Sequence, residues 1–213
     1  MEILAHRGFW DAAHPRNSLA SLSQALDAGF GFESDIRDYV GELVISHNIA
    51  DAASPQAAEV FRLLAAHGDR YPFAINIKAD GLKEPLAALL RQQHIENYFL
   101  FDMSVPQMIE YRDLGLRFFT RQSEYEPLPV LYDAAAGVWI DGFCGTEWIT
   151  EELLRSHLAA GKAVCIVSPD LHQRAEYRTF WARLRAMALP QGRVMLCTDH
   201  PAEARAFFEE AQA

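Results

Sequence analysis

Residues 2–29 read EILAHRGFWDAAHPRNSLASLSQALDAG. The first part is a short apolar run closing on His6, Arg7 and Gly8, which predicts a β-strand. The second part places Leu19, Leu22, Ala25 and Leu26 at helical spacing. Asn17 or Ser18 can cap that helix, and Gly29 can close it. One strand followed by one amphipathic helix is the unit from which the rest of the chain is read.

The unit recurs. Residues 31–38 and 42–48 predict two strands turned at Gly41, followed by a helix over 54–68 with Ser54 as cap, Pro55 in its first turn and Gly68 at its end. Strands are expected over 71–78, 97–102, 116–123, 137–141, 162–168 and 192–199. Helices are expected over 82–94, 105–115, 146–161, 170–188 and 201–212, while 125–135 has no clear period. Apolar strands between amphipathic helices indicate a parallel sheet covered by helices. Eight β-then-α units predict a (β/α)8 TIM barrel, with an open doubly wound sheet as the alternative. No G-x-G-x-x-G or Walker loop supports a nucleotide-binding version of that alternative.

The chain has 213 residues, half of them hydrophobic, with no linker-like or low-complexity run, so one domain over 1–213 is expected. A net charge of -10 argues against a nucleic-acid partner. No apolar run reaches the length of a membrane span, so no stable membrane insertion is expected and the location is read as cytoplasmic. Cys144, Cys165 and Cys197 form no C-x-x-C pair, and the last two lie in apolar runs that suit buried reduced thiols.

In barrels of this kind, chemistry gathers at the carboxyl ends of the strands. Those ends carry His6-Arg7, Glu33 with Asp35, His47, Asn76 with Lys78, Asp102, Thr120-Arg121, Asp141, Ser168 and Thr198-Asp199. Glu33 and Asp35, two apart on a strand, point to one face. Paired carboxylates call for a hard divalent cation such as Mg²⁺ or Ca²⁺, or for a salt bridge to Arg7 or Lys78. His6 and His47 are suited to acid–base work near neutral pH. Arg7 and Lys78 supply charge suited to phosphate. Together these groups describe a phosphate-ester site. His172 is a further candidate, whereas His14, His67, His94, His157 and His200 are read as structural. Arg121 and Glu124 are candidate substrate contacts. Trp10, Trp139, Trp148 and Trp181 are read as core, with Phe9 and Trp10 also able to line the mouth.

The segments LAHRG, NS, ESD, LVISH, INIKAD and CTDHP, in that order, resemble the glycerophosphodiester phosphodiesterase and phospholipase C-like phosphodiesterase superfamily. The resemblance implies a (β/α)8 barrel with one divalent cation, Mg²⁺ or Ca²⁺, acting on a small-molecule or lipid-derived phosphodiester. It implies His6 and His47 as the acid–base pair, Glu33 and Asp35 as metal ligands, and Arg7 and Lys78 as phosphate contacts. Three positions depart from the family pattern. Arg16 stands where Glu is common, Asn48 follows His47 where Asp is usual, and Asn76 replaces a third carboxylate. An Asn oxygen can still ligate a hard cation, and Asp102 or Asp141 is placed to supply the missing charge. The expected function is a metal-dependent phosphodiesterase of a divergent branch. The alternatives are a catalytically impaired barrel that binds a phosphorylated ligand, and a different barrel enzyme such as a metal-dependent aldolase or isomerase.

Overall fold

The computed structural model describes residues 1–209. Among them, eight parallel strands alternate with helices in a (β/α)8 barrel, and one further strand pairs antiparallel. The chain forms two compact units, His6–Phe118 and Met1–Ala5 with the segment from Phe119 on.

In the first unit, α1 (Leu19–Asp27) follows the end of β1 (Glu2–His6). Ser18 caps α1, its hydroxyl accepting from Ser21 N at 3.1 Å, and Ser21, Leu22, Ala25 and Leu26 form the buried stripe. β2 (Gly31–Tyr39) turns through Gly41 into the antiparallel β3 (Glu42–Ile45). β2 pairs in parallel with β4 (Phe73–Ile77), and β4 with β5 (Tyr98–Phe101). Phe32 and Phe73 are register partners with rings 4.8 Å apart, and Phe61 from α2 (Ala57–Ala66) closes on Phe73 at 5.6 Å. All three rings are fully buried, each worth about 1.5–3 kcal/mol of apolar burial. This cluster fixes the β2–β4 register on which the polar residues further along the strands depend. α3 (Lys83–Gln92) accepts Pro85 in its first turn, and α4 (Val105–Asp113) is capped by Ser104.

In the second unit, β6 (Phe119–Ser123), β7 (Gly137–Asp141), β8 (Ala163–Val167) and β9 (Val194–Thr198) pair in parallel in that order, and β1 pairs with β9. Cys165 and Cys197 are buried in β8 and β9, as their apolar runs predict, while Cys144 is exposed. Trp139 and Trp181 are core residues. Trp148 is only half-buried and donates from its indole to Gly145 O. α5 (Glu151–Ala159), α6 (Tyr177–Ala186) and α7 (Pro201–Glu209) complete the unit. No described helix is long and apolar enough to cross a membrane.

The strand expected over 42–48 ends at Ile45, the one expected over 116–123 begins at Phe119, and three helix starts lie three or more residues from expectation. Ser54 does not cap α2, which begins at Ala57. Gln56 bridges Val44, and Pro55 O accepts from Ile45 N, so residues 54–56 are drawn along β3 and out of the helix. The helix expected over 146–161 starts at Glu151, where Thr150 is the cap. The helix expected over 170–188 is broken. A 3-10 turn over Pro169–His172 ends at Gln173, whose φ is 59°, before α6 begins. Asp170 explains the break, since its carboxylate is held by Thr198 Oγ1 and Asp199 N rather than facing solvent from a helix. The part of the last predicted helix beyond residue 209 lies outside the described residues.

Candidate active site

β1 delivers His6 at its end, and the chain then turns sharply. Arg7 has φ 57° and Gly8 φ 91°. Arg7 N donates to Glu33 O, and Arg7 O accepts from Asn17 N, both at 2.9 Å. Gly8 lies against α1 so closely that a Cβ would sit 2.7 Å from the Ser21 carbonyl carbon and from Ser21 Oγ. The glycine of the His-Arg-Gly run is therefore required both by dihedral angle and by space.

Glu33 and Asp35 lie on one face of β2 and are 2 % and 0 % exposed. Asp35 is the better neutralised. Arg7 Nε lies 3.0 Å from its Oδ2, Asn17 Nδ2 donates to the same oxygen at 2.9 Å, and Lys78 Nζ lies 3.3 Å from Oδ1. Ser34 Oγ in turn donates to Asn17 Oδ1 and orients that amide. Both salt-bridge partners expected from the sequence are thus present on one carboxylate. Asn17, which the sequence offers only as a helix cap, serves Asp35 instead. The Asn-Ser pair of the motif is the signal that could have found it.

Glu33 has a poorer environment. His6 Nε2 lies 3.9 Å from its Oε2, an ion-pair distance rather than a hydrogen bond. Burial, and then the neighbouring Asp35 charge, push the Glu33 carboxyl well above the usual carboxylate range, against the pull of Arg7 and Lys78. Asn76 is the register partner of Asp35 across β2–β4. Its Nδ2 donates to Asp102 Oδ2 at 3.3 Å, which links Asp102, a residue with φ 63°, to the cluster.

Three oxygens in this cluster are buried without a hydrogen bond: Glu33 Oε2, Asp35 Oδ1 and Asn76 Oδ1. Lys78 Nζ already stands 3.3 Å from Asp35 Oδ1, whereas His6 Nε2 approaches Glu33 Oε2 only to 3.9 Å; buried oxygens are costly unless a cation or donor meets them. Two carboxylates and one amide carbonyl are hard donors that fit Mg²⁺ or Ca²⁺. Among the described residues no group of three His, Cys, Asp or Glu could hold a metal, and the third oxygen of this cluster belongs to Asn76.

His47 lies on the exposed loop after β3, its Nδ1 3.0 Å from Asn48 Oδ1. That loop is tied to the cluster through the backbone, since Ser46 N donates to Asp35 O at 3.0 Å. It is braced as well by Arg37, which donates to Asn48 O at 2.6 Å. An open cavity of about 400 Å³ is lined by Arg7, Arg16, Asn17 and His47, with Asn48, Ser46 and Asp51 on its wall. The structure thus brings His6, Arg7, Glu33, Asp35, Asn76 and Lys78 into one cluster, with Asp102 at its edge, and sets His47 on the cavity that Arg7 and Asn17 share.

The remaining strand-end candidates belong to the second unit and are largely held by local bonds. Asp170 takes Thr198 and Asp199, Trp181 Nε1 donates to Ser168 Oγ, and Thr120 Oγ1 donates to Val130 O. Arg121 pairs with Glu126 at 2.5 Å, and Glu124 accepts from the N–H groups of Phe143, Cys144 and Gly145. His172 Nε2 lies 2.7 Å from Asp141 Oδ1. Of the two residues expected to line a mouth, Phe9 packs edge-on against Phe30, and Trp10 carries the Arg16 guanidinium.

No protein-family model matches the chain, and no curated protein matches it. By structure it has the fold of the glycerophosphodiester phosphodiesterases, the family its motifs resemble. A glycerophosphodiester phosphodiesterase from Parabacteroides distasonis superposes with a TM-score of 0.72 at 14% identity, covering 100% of this chain and 98% of the other. A glycerophosphoryl diester phosphodiesterase from the same organism gives 0.73 at 13% identity, over 99% and 86%. The glycerophosphodiester phosphodiesterase of Thermotoga maritima gives 0.64 at 16% identity, over 96% and 97%.

Proposed function

We propose that the chain is a divergent member of this family, a phosphodiesterase that cleaves a P–O bond of a glycerophosphodiester-like or lipid-derived phosphodiester with the help of one divalent cation. The observation that carries the reading is the trio of buried oxygens without hydrogen bonds on Glu33, Asp35 and Asn76, set among two cations and an imidazole. Glu33, Asp35 and Asn76 would hold the cation, with Asp102 adding negative charge through Asn76. A bound Mg²⁺ or Ca²⁺ supplies Lewis acidity and neutralises charge on the phosphate.

The chain's own groups do the rest. Arg7 and Lys78 are paired with Asp35, and their remaining N–H donors would meet the non-bridging oxygens, which favours charge that grows in the transition state. One of His6 and His47 takes the proton of the attacking hydroxyl or water, and the other protonates the leaving alkoxide. If the nucleophile is an adjacent hydroxyl of the substrate, a cyclic phosphate forms first.

The test is hydrolysis of glycerophosphocholine and of bis(p-nitrophenyl) phosphate with Mg²⁺, Ca²⁺ or Mn²⁺, with and without chelator. Chelator-sensitive turnover is expected, and His6→Gln or His47→Gln should each lower kcat by about 10²–10⁴. Absence of turnover with all three ions, with phosphodiester binding retained, would instead identify a binding barrel impaired at Asn76.

A further inference from the structure

At the end of β5 away from Asp102, the first unit holds a second cavity, of about 410 Å³. α3 and α4 both end there in left-handed turns, at His94 with φ 54° and at Gly115 with φ 70°. The residue after each turn reaches back to its helix. Ile95 N donates to Leu90 O, and Leu116 N to Tyr111 O, both at 3.0 Å. These returns lay Leu90, Ile95 and Leu116 on the cavity lining, beside Tyr98, which opens β5. Leu90 and Ile95 are buried, so the floor is apolar.

The rim is cationic. Arg91, His94 and Arg117 line the cavity, and all three are exposed. Arg117 Nη1 donates to Glu96 O at 2.9 Å, which ties the loop after α4 to the loop after α3 and anchors that guanidinium. Among the described residues, neither the Arg91 guanidinium nor the His94 ring has a hydrogen bond or an ion pair. Glu96 is the one acidic residue on the lining, and neither arginine pairs with its carboxylate. The chain has 29 acidic residues against 19 Lys and Arg, so carboxylates are in excess. Two guanidiniums without a carboxylate partner beside one cavity therefore mark a local positive potential on an acidic protein. Arg91 also suits the dipole at the last turn of α3, a role that needs no cavity. The volume lies within the range of small-molecule sites.

We propose that this cavity binds a small amphiphilic anion, with a short aliphatic chain on the apolar floor and a carboxylate or phosphate head at Arg91 and Arg117. The site lies at the opposite end of the strands from Glu33, Asp35 and Asn76, and it does not depend on the phosphodiesterase reading.

The experiment titrates the full chain calorimetrically with hexanoate and with hexyl phosphate. Hexanol and inorganic phosphate serve as the chain and the head alone. An amphiphile that fits should bind at least about tenfold more tightly than either half. Arg91→Glu, on an exposed side chain, should weaken it about tenfold or more, and Arg91→Lys should keep most of the affinity. Lys78→Gln, in the strand-end cluster, should leave Kd unchanged. Preference for hexanoate or for hexyl phosphate identifies the head group, and either supports the site. Hexanol or inorganic phosphate binding as tightly as the amphiphiles would overturn it. So would affinity unmoved by Arg91→Glu, or lost in Lys78→Gln, since the anion would then sit elsewhere. No binding of either amphiphile at millimolar concentration would overturn it as well. None of these readouts involves turnover, so failure here is distinct from failure of the phosphodiesterase reading.

Discussion

Arg7 Nε lies 3.0 Å from Asp35 Oδ2, the Asp35 side chain fully buried and the Arg7 side chain one-fifth exposed. Lys78 and Asn17 complete the shell of that carboxylate. Removing Asp35 leaves two cations and an amide in a largely desolvated place. Asp35→Ala is expected to cost about 3–5 kcal/mol, the range for breaking a buried ion pair from one side. The urea midpoint at unchanged slope checks this, and a loss below about 1 kcal/mol would mean that the cluster is solvated like a surface pair.

Gly8 and Gly161 both have positive φ, at 91° and 80°. Only the Gly8 position is crowded. A methyl group added there would meet the Ser21 backbone within 2.8 Å, whereas one added at Gly161 would meet nothing within 4 Å. Gly161→Ala should cost about 1 kcal/mol, for the dihedral alone. Gly8→Ala should cost at least about 2 kcal/mol more, because α1 must move. Equal losses in thermal unfolding would disprove the close approach.

The cation proposed for Glu33, Asp35 and Asn76 would bind the folded chain and not the unfolded one. At 100 times its Kd it should add about 2.7 kcal/mol of stability. For a chain of this size that raises Tm by about 5–10 °C. Glu33→Gln should abolish the response to Mg²⁺ or Ca²⁺, and Asn76→Asp should shift it to lower ion concentration, since the added charge favours a hard cation. Parent and Asn76→Asp proteins that both ignore millimolar ion would remove the metal assignment.

Two histidines give pH effects of opposite sign. His67 ends α2, its ring near Leu63 O at 2.9 Å and Asp27 Oδ1 at 3.1 Å, and these two contacts hold its pKa above the ordinary value. Its contribution is full below the unfolded value, near 6.5, and is lost as pH rises through the folded one. Solvent screens the Asp27 side of this contact, so His67→Ala should cost only about 0.5–1 kcal/mol at pH 5.5 and little at pH 9. His157 sits between Tyr132 and Gln122, and burial lowers its pKa. Its contribution is full above the unfolded value and fades as pH falls through the folded one. His157→Gln should therefore flatten the acid-side loss of stability below about pH 6.5. Parallel pH–stability curves for parent and variant would refute either assignment.

The strand–helix alternation was legible because each element carries its own period, as in the buried stripe of α1 and the fully buried β4. The polar ends of β2 and β4 were legible for the same reason: Glu33, Asp35 and Asn76 interrupt apolar strands. What sequence did not carry is pairing at a distance. Ser54-Pro55 has the local chemistry of a helix start, yet the bridge from Gln56 to Val44 overrides it. Asp170 reads as a helix residue until Thr198, 28 positions later, claims its carboxylate. Asn17 is ambiguous for a related reason, because two adjacent polar residues divide capping and Asp35 binding between them.

The β2–β3 hairpin separates His47 from the element that carries Asp35, while the Ser46–Asp35 backbone bond keeps the two in register. The exposed loop bearing His47, Asn48 and Ile49 is thereby a replaceable cartridge on a permanent mount. Its tip can change length or composition without disturbing the aromatic wedge of Phe32, Phe61 and Phe73 beneath.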